Sequence, residues 1–179
     1  DDIVLSSQES AGKPPVILLP GFMGSTTWTW FPIPRLSDDH PTYDLKIYGQ
    51  GRCGWNELRE ALKENFSVYD CPWDWTLKSE KAYEEFLKPT IDNILSSSDY
   101  NKVNIIAHSM GGLVARAYIQ SEDYEHDINK LAMVGTPHLG SCNPYYIWEG
   151  GDPKTLDDIT DSGWIQYVNP YTRVVQQMW

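Results

Sequence analysis

In Val103-Asn104-Ile105-Ile106-Ala107-His108-Ser109-Met110-Gly111-Gly112, a β-branched apolar run feeds a serine held between small residues. A helical pattern, Leu113-Val114-Ala115-Arg116-Ala117-Tyr118-Ile119, begins at once. Strand before and helix after place Ser109 on a sharp strand-to-helix turn, with its hydroxyl pushed out above the sheet edge. The small residues fit such a turn, because it is strained and the strand and helix backbones pass close to it. An ordinary polar turn serine would require neither Gly111 nor Gly112. Ser109 is therefore a candidate nucleophile.

Upstream, Pro15-Val16-Ile17-Leu18-Leu19 is a continuous apolar run ending in Pro20-Gly21-Phe22-Met23-Gly24-Ser25. A run of that kind, bounded by prolines, reads as a strand buried on both faces of a parallel sheet. The Pro-Gly after it lets the backbone turn sharply just beyond the strand's carboxyl end.

The chain has 179 residues, of which 41% are hydrophobic and 22% charged. That is enough for a single domain with a sizeable core, and the composition is globular. A net charge of −11 argues against nucleic acid, whose phosphates demand a basic surface, and disfavours anionic lipid headgroups. No apolar run is long enough to span a membrane, and no signal-peptide pattern opens the chain. Asp1-Asp2 is compatible with a mature terminus left by signal removal, so the compartment stays open between secreted and cytoplasmic. The three cysteines, Cys53, Cys71 and Cys142, fit no zinc motif, and an odd number cannot form a closed disulfide set. A Cys53–Cys71 bridge and simple buried thiols both remain open.

Residues 1–14 form a polar leader. Thr26 to Gln50, with Trp28, Trp30 and Phe31, is a long irregular excursion, of the kind that is usually functional in a compact domain. Those three aromatics suit either a lipid-facing rim or plain cover. From Trp55, the spacing of Trp55, Leu58, Ala61 and Leu62 predicts an amphipathic helix, and Phe66 to Tyr69 a short strand. Ser79 is placed as the N-cap of the next helix, whose stripe of Tyr83, Phe86, Leu87, Ile91, Ile94 and Leu95 is interrupted by Pro89. That proline should kink or split the helix. Lys130 to Gly135 reads as another buried strand. The alternation predicts a mostly parallel sheet with helices on both faces, its strand ends at Phe22, Trp73, Ser109 and Thr136 opening on one edge.

Pro20-Gly21-Phe22-Met23-Gly24-Ser25, Ala107-His108-Ser109-Met110-Gly111-Gly112 and Thr136-Pro137-His138-Leu139-Gly140-Ser141 follow one another as in α/β-hydrolase serine lipases and esterases, which this chain resembles. Gly54-Trp55 and Tyr69-Asp70-Cys71-Pro72-Trp73-Asp74-Trp75 resemble the lecithin:cholesterol acyltransferase-like branch more closely. The resemblance covers roughly Pro15 to Ser141. It implies an α/β-hydrolase fold and cleavage of carboxylic esters of acyl lipids through an acyl-enzyme on Ser109. It also implies an oxyanion hole from the backbone amides of Phe22 and Met110. Prearranged amides hold the negative charge of the attacked carbonyl without reorganising, worth about 3–4 kcal/mol per donor.

Such enzymes run nucleophile, acid, histidine in chain order. Here the four histidines are His40, His108, His126 and His138, and none follows position 138. His108 reads as a packing residue, His126 as solvated surface and His138 as structural. Asp157, Asp158 and Asp161 are acid candidates in a polar stretch. The expectation is an N-terminal part of a longer hydrolase, its C-terminal strands missing and residues 142–179 starting a cap or late segment. Asp and His would then come from a companion chain or a missing C-terminal segment, and the isolated chain would turn over little or nothing. No metal or organic cofactor is implied, and the partner is an acyl-ester or lipid substrate. The rival readings are a non-catalytic hydrolase-like binding module and an acyltransferase using the same acyl-enzyme.

Overall fold

A computed structural model describes residues 12–22, 24–26, 46–47, 54–75 and 77–140. Its centre is a parallel sheet of β1 (Pro15–Leu19), β4 (Ser67–Asp70), β5 (Val103–His108) and β6 (Ile128–Val134), in the order β4-β1-β5-β6. Two short strands, β2 (Ser25–Thr26) and β3 (Lys46–Ile47), pair antiparallel beside it. The predicted α/β-hydrolase architecture is present: a parallel sheet with helices on both faces.

β1 explains the layering. It is buried from end to end, as its unbroken apolar sequence requires, and pairs with β4 on one side and β5 on the other. Its alternate residues serve opposite faces. Ile17 and Leu19 join Ile105 and Ala107 in the larger core, which α2 (Ser79–Ala82), α3 (Lys88–Ser96), the helical turn between them and α4 (Met110–Gln120) cover with Ala82, Tyr83, Leu87, Ile91, Val114 and Tyr118. Leu18 faces the other way, toward Ile47 and Trp55, with Leu58, Leu62, Val68 and Ile106 packed round them. That second layer is α1 (Trp55–Leu62).

Five expectations need correction. β6 is not buried: Met133 and Val134 are 43% and 55% exposed, because β6 borders the sheet among the described residues. Only Ile128 and Leu131 pack against the core. Ala61 is exposed, since α1 meets the sheet through a narrower stripe of Trp55, Leu58 and Leu62. The strand after α1 starts at Ser67 rather than Phe66 and runs to Asp70, where pairing with β1 sets its limits. Ser79 is the first helical residue rather than the cap, because the Ala82 amide already donates to the Lys78 carbonyl. Finally, Pro89 does not split the helical segment, which runs unbroken from Ser79 to Ser96. A π-helical turn at Tyr83–Leu87 joins α2 to α3, and the Lys88 amide donates to the Tyr83 carbonyl five residues back. The wider turn lies just ahead of the residue that has no amide hydrogen to give.

Cys71 is a buried free thiol, pushed up to about 12 chiefly by burial. Of the two readings left open for the cysteines, a Cys53–Cys71 bridge or buried thiols, Cys71 takes the second; Cys53, the leader's first eleven residues, the 28–31 aromatics and the cap segment lie outside the described residues.

Candidate active site

The β5–α4 junction holds Ser109 at φ 51° and ψ −124°, a left-handed conformation that a side-chain-bearing residue adopts under strain. Two hydrogen bonds fix it. The Ser109 amide donates to the Val134 carbonyl at 2.8 Å, extending the β5–β6 ladder by one residue. The Ser109 carbonyl accepts from Gly112 at 3.1 Å, closing the first turn of α4. Met110 is the first residue of α4, so its amide is among those a helix leaves unpaired.

The glycines have geometric reasons. A methyl on Gly111 would stand 2.5 Å from the carbonyl oxygens of both Leu19 and Pro20, so α4 can lie against β1 only without a side chain there. One on Gly112 would run into Thr136, just after β6. At Gly21 a Cβ would come within 2.7 Å of Ser109 Cβ, 2.8 Å of the His108 carbonyl and 3.1 Å of the Met110 amide nitrogen. The loop after β1 thus rests directly on the serine turn, and Phe22 is the next residue along it. Met110 is fully buried, whereas Ser109 and Phe22 are half-buried. Gly21, Ser109 and Met110 therefore meet at one point, and Phe22 follows Gly21 in the loop.

That point is a switch in the sheet's connectivity. From β1 the chain passes to β4 on one side, then crosses to β5 on the other. Open α/β sheets bind ligands where such connections diverge, at the carboxyl ends of the strands.

A third group of residues holds the loop. The Trp73 amide donates to Ser25 Oγ at 3.0 Å, and its indole Nε1–H donates to the Pro20 carbonyl at 2.7 Å. The Trp75 indole donates to the Ser25 carbonyl at 3.3 Å, and its ring meets Phe22 edge-on at 4.9 Å. Trp73, Asp74, Trp75 and Ser25 are all essentially inaccessible to solvent. Sequence reasoning gave Trp73-Asp74-Trp75 no structural task. The available signal was two tryptophans leaving a strand end in a chain whose other strand ends carry the site.

The described histidines lie away from the Ser109 hydroxyl. His108 points to the α1 face, its ring edge-on to Trp55 at 6.3 Å, and burial lowers its pKa from the ordinary 6.5. The His126 ring packs at a tilt against Tyr124, and His138 Nδ1 lies 3.4 Å from Arg116 Nη1. Among the described residues no side chain is hydrogen-bonded to Ser109 Oγ. Asp157, Asp158 and Asp161 lie outside those residues.

Comparison with known proteins gives three likenesses. The family described as Lecithin:cholesterol acyltransferase matches residues 54–172. A stretch of 83 residues is 30% identical to Sterol esterase 2 of Saccharomyces cerevisiae (strain ATCC 204508 / S288c), covering 43% of this chain and 15% of that protein. The crystal structure of Bacillus licheniformis lipase BlEst2 in mature form is similar with a TM-score of 0.60 at 15% identity. That alignment covers 93% of this chain and 54% of the lipase, and at such identity it speaks to fold alone.

Proposed function

The chain belongs to the lecithin:cholesterol acyltransferase family, and on that premise we propose that Ser109 is the nucleophile of a lipase/esterase acting on ester-linked acyl lipids. The observation that carries the proposal is the strained Ser109 turn, with the Gly21-Phe22 loop pressed against it at the switch point of the sheet.

The chemistry runs in two steps. A general base outside the described residues takes the Ser109 proton as Oγ attacks the ester carbonyl. The carbonyl oxygen becomes an oxyanion held by the Phe22 and Met110 amides. Collapse expels the alcohol, which takes the proton, and leaves the acyl chain on Ser109. Water then attacks the acyl-enzyme and releases the acid. Serine needs the base because its hydroxyl is a weak nucleophile at its ordinary pKa. The family's description favours a second acceptor as well, an alcohol in place of water at the same acyl-enzyme.

Ser109→Ala in the intact protein tests the assignment. Hydrolysis of p-nitrophenyl esters should drop by about 10⁴-fold or more, with unchanged circular dichroism. Full activity in that variant would remove Ser109 from the mechanism. Labelling by a fluorophosphonate separates the enzyme from a non-catalytic module of the same fold, since only the former should react at Ser109.

A further inference from the structure

On the α2–α4 side of the sheet three carboxylates converge. One oxygen from each of Asp92, Glu125 and Asp127 lies within 4.8 Å of the others. Asp92 stands on α3; Glu125 and Asp127 lie in the connection from α4 to β6. Asp92 and Glu125 are exposed, whereas Asp127 is 4% exposed.

Asp127 sets this cluster apart from ordinary surface acidity. Its Oδ2 accepts the Tyr118 hydroxyl at 2.7 Å, yet its Oδ1 is shielded from solvent and has no hydrogen-bond partner. A buried carboxylate oxygen without a partner costs folding free energy. Lys88 reaches the other two carboxylates, 2.5 Å from Asp92 and 3.3 Å from Glu125, but makes no ion pair with Asp127. Three carboxylates against one ammonium leave the cluster with two uncompensated negative charges.

We propose that Asp92, Glu125 and Asp127 form a calcium site, with the Lys88 ammonium holding the outer carboxylates until Ca²⁺ displaces it. The donors are all hard carboxylate oxygens, which suit Ca²⁺ and Mg²⁺ rather than softer metals. Oxygens on opposite sides of Ca²⁺ stand about 4.6–5.2 Å apart, so three oxygens within 4.8 Å of one another are close enough to share one such ion. Mg²⁺ gives up its waters reluctantly and demands near-ideal octahedral geometry, so a site built from three protein carboxylates suits it less. The ion enters from the exposed side, through Asp92 and Glu125, and reaches the buried Asp127 carboxylate last. Bound there, it ties α3 to the connection that leads into β6, whose Val134 carbonyl accepts the Ser109 amide.

Tb³⁺ luminescence excited through the protein's aromatic residues provides the probe, with Tyr118 hydrogen-bonded to one ligand. The purified protein should show saturable Tb³⁺ luminescence, displaced by CaCl₂ at concentrations where MgCl₂ has little effect. CaCl₂ should also raise the melting temperature relative to EDTA. Asp92→Asn with Glu125→Gln alters only exposed carboxylates, so folding is kept; it should weaken Tb³⁺ binding roughly tenfold or more and abolish the thermal shift. Lys88→Met should tighten binding by removing the competing ammonium. Non-saturable luminescence, or equal affinity in wild type and the double variant, overturns the site. Unchanged affinity in Lys88→Met overturns the displacement.

Discussion

Ser109 stores strain where the chemistry is placed. Its φ of 51° and ψ of −124° cost about 1–3 kcal/mol in a residue with a side chain. Ser109→Gly should relieve part of that cost, so its urea midpoint should exceed that of Ser109→Ala while ester hydrolysis is lost in both. A Gly variant less stable than the Ala variant would mean the turn is not strained. Gly111 answers to packing instead. Its neighbours at 2.5 Å are backbone carbonyls, which cannot swing aside, so Gly111→Ala should cost at least about 1–3 kcal/mol in denaturant unfolding. His108 adds a pH dependence. Burial lowers its folded pKa below 6.5, so the unfolded chain binds more protons in the interval beneath that value. Its contribution is present above pH 6.5 and is lost as pH falls below it. The melting temperature of wild type should therefore decline on acidification below pH 6.5 more steeply than that of His108→Phe.

Among the elements, the segment leaving β4 matters most for the site. Trp73 and Trp75 reach back to Pro20, Phe22 and Ser25, so the loop that offers the Phe22 amide is held by indoles from a different strand end. Trp73→Phe keeps the ring packing but strands the Pro20 carbonyl in a buried place, a loss of about 1–3 kcal/mol. Because the loop would then be less well placed for the oxyanion, kcat on p-nitrophenyl esters should fall more than KM rises; a pure KM effect would assign these tryptophans to substrate binding. The π-turn at Tyr83–Leu87 illustrates what a sequence hides at this scale. Pro89 announces a disturbed helix, but whether the chain breaks, bends or widens depends on what surrounds it. Here Tyr83, Phe86 and Leu87 are all buried, and the wider turn keeps the segment continuous.

At the scale of the whole molecule, β1 and β5 form the centre of the described sheet, flanked by β4 and β6. Amide hydrogen exchange should be slowest in Val16–Leu19 and Val103–Ala107 and faster in β6, where Met133 and Val134 are open to solvent. Equal protection across the four strands would contradict that order. All four of these strands and the nucleophile turn were legible because their signals are local. An unbroken apolar run bounded by prolines, as in β1, reads as a doubly buried strand, and a serine between a β-branched run and a helical period, with glycines after it, leaves few other conformations. The convergence of Gly21, Ser109 and Met110 followed from the parallel arrangement of strands that such runs imply. What no local pattern could carry were the facts that need partners distant in the chain. The exposure of β6 depends on its place in the sheet order, and the purpose of Trp73 and Trp75 on a loop about fifty residues earlier. The meeting of Asp92 with Asp127 requires α3 and α4 to pack on one face. Residue spacing encodes the period and the turn; only the folded chain brings far-apart polar groups within the few ångströms over which hydrogen bonds and charges act.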